Sequence, residues 1–239
     1  MNESEWDSRL TTSPDNPFPL APKDLVRKGL VTERIYQDQN RKFGRFCRRL
    51  MLKELPTQEI AIGDELFWEL LGAGMCRDFG WIADAVRRGL GINIRDNSKV
   101  ACQGTIQFLR SQNIYSGVTV RETEVEFGWE AGEIKDSLTS VYYASQFIQV
   151  QDRETMQRML RHLGAFLGLQ GKKRVIYLVH PLGEDNPPEK VEWGKTTPYF
   201  FHELRKGLEE GLNSRVRMQV LGEHMHYHQK YNLIKAFAA

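Results

Sequence analysis

Apolar positions along the chain recur with two different periods. From residue 23 to about residue 55, Phe43, Phe46, Cys47, Leu50 and Met51 return every three or four residues. That spacing predicts an amphipathic helix, and Arg41, Lys42, Arg45, Arg48, Arg49 and Lys53 fill its other positions. A short strand-like piece at 59–63 and the run 65–71 come next, stopping at Gly72-Ala73-Gly74. The pattern then alternates: helix 79–88, strand 90–94, helix 99–110, strand 117–124. It continues with an apolar run at 141–144, helix 152–167, a continuous apolar strand at 174–180 and helix 199–212. Two last strands, 215–222 and 231–238, are separated by about eight residues, too few for the dozen or more that a parallel crossover needs. The pattern predicts an α/β fold: a mostly parallel sheet with helices on both faces and a C-terminal antiparallel hairpin. In domain terms it predicts a flexible tail at 1–22, an N-terminal helical cap at 23–57 and one α/β domain at 58–239.

Composition narrows the function classes. The chain has 239 residues, 41% of them hydrophobic, with a formal net charge of +2. That is enough to bury a core and too balanced for a disordered chain. No overall charge signature of a nucleic-acid binder appears, but near-neutrality averages an acidic tail and an acidic insert (182–198) against the basic stretch 41–53. Three cysteines without a CxxC or CxxH pair indicate neither a disulfide framework nor a structural zinc site. The opening residues are polar and proline-bearing with no apolar signal core, and no window suits a membrane span. The expectation is a cytoplasmic protein with no membrane partner and an undetermined oligomeric state.

The segment 67–76 carries the most chemistry. A strand ends in an acidic residue, Glu69, and the turn Gly72-Ala73-Gly74 leads into a helix about five residues later. Glycines at such a turn let backbone approach a ligand, and the helix N-terminus offers unpaired N–H groups. A nucleoside laid across the strand ends is held by polar side chains at the end of the next strand, here Asn93 and Asp96. The third strand brings Glu122 and Glu124. A nicotinamide or flavin fingerprint would want a third glycine where Arg77 stands.

At these residues the sequence resembles the class I S-adenosylmethionine-dependent methyltransferases, whose first motif is an acidic residue followed by x-x-Gly-x-Gly. Glu69-Leu-Leu-Gly72-Ala73-Gly74 matches it. The resemblance covers roughly 59–239 and implies a Rossmann-like sheet, S-adenosylmethionine as cofactor, and in-line methyl transfer. It implies ribose recognition at Asn93, where the family usually has an acid, or at Asp96. Glu122 then lies toward the adenine, and Ser145, Gln146 and Gln149 near the transferring methyl. A general base, where the acceptor needs one, is expected among His180, Glu184 and Tyr36. Each also has a plain structural reading, as a strand-end histidine, a loop carboxylate and a packed tyrosine.

Tyr36, Trp193, Tyr199 and Phe200 on the cap and insert suit a small organic acceptor. The alternatives are an RNA or protein methyltransferase docking through the basic helix 41–53, and a non-catalytic scaffold of the same fold. The run Glu223-His-Met-His-Tyr-His228 reads as a metal site, as a substrate-facing group, or as the bend between the last two strands. The expectation is the bend, with no metal.

Overall fold

Local chemistry sets where each element starts and stops. The structure, a computed structural model, describes residues 20–21, 23–55, 67–72, 79–122, 139–146, 152–169, 173–186, 199–227 and 229–239. The strand-like piece expected at 59–63 lies outside these. The chain groups into two compact units, one of residues 1–65 with 73–123, the other of 66–72 with 124–239.

In the first unit, the single helix expected from residue 23 is two. Helix α1 (Lys23–Arg27) ends at Gly29, whose φ of +69° is a left-handed stop that glycine takes without strain. Thr32 then caps helix α2 (Glu33–Glu54), its Oγ1 accepting the Ile35 N–H at 3.3 Å. One side of α2 is buried through Gln37, Asn40, Phe43, Phe46, Cys47, Leu50 and Met51, as the periodicity predicts. Helix α3 (Phe79–Arg87) packs against α2, and Arg48 reaches across to Asp84 at 2.9 Å. Strand β2 (Gly91–Asp96) follows, burying Ile92, Ile94 and Asp96 on one face. Ser98 caps helix α4 (Lys99–Ser111) through a 3.0 Å bond to the Ala101 N–H. Strand β3 (Val118–Glu122) pairs parallel to β2, with Asp96 opposite Glu122 at its last rung.

The second unit holds β1 (Phe67–Leu71), β4 (Thr139–Ser145), β5 (Val175–Pro181), β6 (Val216–His226) and β7 (Gln229–Ala238), in the order β1-β4-β5-β7-β6. The first three are parallel; β7 and β6 are antiparallel. Every residue of β4 and β5 is buried, the state that continuous apolar strands predict. Helices α5 (Arg153–Leu167) and α6 (Phe201–Leu212) share a core with Tyr142, Ile176, Leu178 and Ile234 through Leu160, Phe166, Leu204 and Leu208. Their close approach needs glycine: a Cβ on Gly164 would overlap the Leu208 carbonyl.

The hairpin is longer than its apolar pattern suggests. Strand β6 continues through Glu223, His224 and His226, and the chain turns only at Tyr227 (φ +56°). The expectation of a bend over 223–228 is therefore corrected. The ladder continues to the His226–Gln229 pair, because backbone hydrogen bonding tolerates polar residues that the hydrophobic pattern does not register. His228 lies outside the described residues, and among the described residues no group of three His, Cys, Asp or Glu side chains is placed to hold a metal. No described helix is long and apolar enough to cross a membrane.

Candidate functional site

Parallel pairing puts the carboxyl ends of β1, β4 and β5 at one edge of their sheet. Glu69 lies within β1, almost fully buried, and its Oε1 accepts the Thr139 hydroxyl at 3.4 Å. Gly72, directly after β1, has φ +58°. This is the left-handed conformation that a side chain resists, so the first glycine of the motif is required by backbone geometry. Ala73 and Gly74 lie outside the described residues, as do Gln149 and Trp193. β4 pairs with β1 although two strands intervene in sequence, the kind of strand-order change at which open α/β sheets bind ligands.

The end of β4 carries unspent polarity. Ser145 is 7% exposed, and its Oγ is buried without a hydrogen-bond partner among the described residues. Gln146 is a non-glycine residue with φ +55°, held there by its N–H donating to the Val179 carbonyl at 3.0 Å. Its Nε2 is also buried and has no partner among the described residues. Two adjacent orphaned groups and a strained backbone make the end of β4 a candidate ligand contact.

At the end of β5 the groups are already engaged. His180 is 1% exposed, and its Nε2 accepts the Tyr199 N–H at 3.1 Å while the two rings stack. Burial pushes its pKa down to about 3, so the imidazole is neutral with its proton on Nδ1, which has no partner among the described residues. Glu184 accepts the Phe201 N–H at both carboxylate oxygens, 2.9 and 3.2 Å, and so caps α6. The plain structural readings of these two residues describe what they do in the structure: one is a neutral staple and the other a helix cap. Asp185, Asn186, Lys230 and Asn232 join the following turn to the hairpin, a cluster that sequence reasoning passed over. Asn186 bonds the Leu182 carbonyl and both backbone groups of Lys230, while Asp185 accepts from Lys230 Nζ and Asn232 Nδ2. Only their spacing across the fold, more than forty residues, brings them together.

In the first unit, Asn93 sits mid-strand opposite Thr119, whereas Asp96 is the last residue of β2. Asp96 Oδ1 accepts the Ser98 N–H at 2.9 Å and is almost fully buried; Glu122 beside it is exposed. Cys102 donates from Sγ to the Asp96 carbonyl. Burial and the carboxylates of Asp96 and Glu122 push its thiol up to about 12, so it stays protonated. Tyr36 is half-buried on α2.

No protein-family model and no curated protein matches the sequence. Solved structures do match the fold. Magnesium protoporphyrin IX methyltransferase from Synechocystis PCC 6803, with S-adenosylmethionine bound, aligns with a TM-score of 0.54 at 10% identity, over 84% of this chain and 81% of that one. A SAM-dependent methyltransferase from Aquifex aeolicus aligns at 0.51 and 12% identity, over 80% and 89%. The cyclase SpnF aligns at 0.55 and 9% identity, over 82% and 81%. Identities this low speak for architecture alone, and the architecture is the Rossmann-like fold of the SAM-dependent methyltransferases.

Proposed function

We propose that the protein is a SAM-dependent methyltransferase that acts on a small organic molecule by in-line methyl transfer. The observation that carries this reading is Gly72: the first glycine of the motif sits directly after β1 in a left-handed turn that only glycine takes without cost. The residues present fit the cofactor. The family resemblance assigns the ribose hydroxyls to Asp96 or Asn93, the adenine to Glu122, and the glycine motif to Glu69, Gly72, Ala73 and Gly74. Ser145 Oγ and Gln146 Nε2 are orphaned buried groups in need of partners. When bound, S-adenosylmethionine supplies an electrophilic methyl on a sulfonium.

The chain's own contribution is alignment and exclusion of water. Ser145 and Gln146 orient polar atoms at the end of β4. His180, neutral at physiological pH, offers an N–H rather than taking a proton, and Glu184 fixes the start of α6. Tyr36, half-buried on α2, is the third base candidate. The cyclase among the similar structures means that fold likeness by itself does not select the reaction, so the test is direct. Calorimetric titration with S-adenosylmethionine and S-adenosylhomocysteine should show binding of both, and Gly72→Val should abolish it. Binding by neither would leave the scaffold reading.

A further inference from the structure

The exposed side of α2 carries a cationic stripe unrelated to the groups above. Between Glu33 and Glu54 the helix holds Arg34, Arg41, Arg45, Arg48 and Arg49, with Lys42 and Lys53 beside them, against three acids. Every one of these cations is exposed. At 3.6 residues per turn they fall within an arc of about 140° and extend along about 28 Å of axis. The buried residues of α2 occupy the opposite arc. The whole chain carries only +2, so the stripe is a local excess.

Part of the stripe is held in place. Asp84 receives Arg48 Nε at 2.9 Å and Arg48 Nη2 at 3.4 Å, and Arg87 Nη1 at 3.2 Å. One carboxylate thus orients two guanidinium groups and leaves a net positive charge. The Arg48 stem lies over Gly80, where a Cβ would come within 3.0 Å of its Cδ. The nearest acid within the arc, Asp38, is taken by Lys42 at 2.7 Å.

The chemistry of the stripe selects its partner. Guanidinium forks match phosphate oxygens in pairs, and arginine outnumbers lysine here. The apolar side of α2 is spent in the core, so the helix cannot insert into a lipid surface as amphipathic membrane helices do. The arc contains no aromatic side chain on which single-stranded bases would stack. It also contains no amide or hydroxyl side chain to read a ribose 2′-hydroxyl. We propose that the exposed face of α2 docks, without sequence preference, on the phosphate backbone of duplex DNA. The proposal does not rest on methyl transfer and is tested without it.

The experiment is fluorescence anisotropy of the full chain against a mixed-sequence DNA duplex of about 20 base pairs, long enough to cover the stripe. An RNA duplex and a DNA single strand of equal length, and vesicles containing anionic phospholipid, serve as competitors. With about five phosphates engaged, log affinity should fall with log salt at a slope of about −4 to −5. The double variant Arg41→Glu/Arg45→Glu should lose more than tenfold in affinity at low salt and about two units of slope. Its melting temperature should be unchanged, because both side chains are exposed. Arg41→Lys/Arg45→Lys should retain most of the binding. The proposal is overturned by absence of binding at low salt, by an unchanged charge-reversal variant, or by RNA, single strand or vesicles competing as well as the DNA duplex.

Discussion

Asp96 and Glu122 end adjacent parallel strands on the same rung, one carboxylate buried and bonded to the Ser98 N–H, the other open to solvent. Like charges side by side at strand ends suit a neutral, hydroxyl-rich ligand that donates hydrogen bonds to both. Asp96→Asn keeps an acceptor oxygen for Ser98 while removing the charge. We expect it to fold and to lose about ten- to a hundredfold in S-adenosylmethionine affinity, the scale of a hydrogen bond to a charged group. Glu122→Gln, at an exposed position, should lose less. Calorimetric titration compares the two, and equal parent-like affinity in both variants would remove the adenosine half from this part of the fold.

Gly72 offers a backbone test. A β-branched residue at φ +58° costs about 1–2 kcal/mol of conformational strain, which Gly72→Val would relieve by moving the turn. We expect a folded protein with cofactor affinity below detection. Circular dichroism verifies the fold and titration reads the affinity.

Gln146 separates strain from function. Gln146→Gly removes both the left-handed penalty and the orphaned amide nitrogen. Its stability to urea should stay within about 1 kcal/mol of the parent, because relief of strain offsets the added chain entropy of glycine. Cofactor or acceptor affinity should nevertheless fall. Gln146→Val should instead lose about 1–2 kcal/mol of stability. Full ligand affinity in the glycine variant would show that the carboxamide meets nothing.

His180 predicts an acid limb. Its folded pKa, about 3, lies below the ordinary value of 6.5, so the unfolded chain binds the proton more readily. Its contribution to stability is therefore complete above about pH 6.5 and is lost as pH falls toward 3, on a scale of a few kcal/mol. His180→Gln keeps an acceptor for the Tyr199 N–H without a titrating ring. Urea midpoints measured between pH 7 and pH 4 should fall less steeply in that variant than in the parent. Parallel slopes would place the titrating group elsewhere.

The element pattern was largely readable from residue spacing, because burial on one side of a helix or both faces of a strand leaves a local period in the chain. Phe43 to Met51 on α2, the unbroken apolar run of β5 and the close spacing of the last two strands all behave this way. The glycine turn after β1 was legible for the same reason, since Gly72 is dictated by its own φ. Other features depend on partners far along the chain. Gly29 and Thr32 divide a continuous-looking helix, and the hairpin ladder runs on through polar residues to His226. The assignment of Asp96 over Asn93 as the strand-end residue needed the β2–β3 register.

What the residues determined by themselves was the alternation of elements, the fold class and the glycine turn that closes β1, all set by local periodicity and backbone stereochemistry. The tertiary structure decided what individual polar groups are free to do. His180 is neutral because the fold buries it, with Tyr199, nineteen residues later, stacked on it and donating to its Nε2, and Glu184 is a cap because α6 begins beside it. Burial and pairing across the fold set protonation and hydrogen-bond capacity, and neither is a property of a side chain read in isolation.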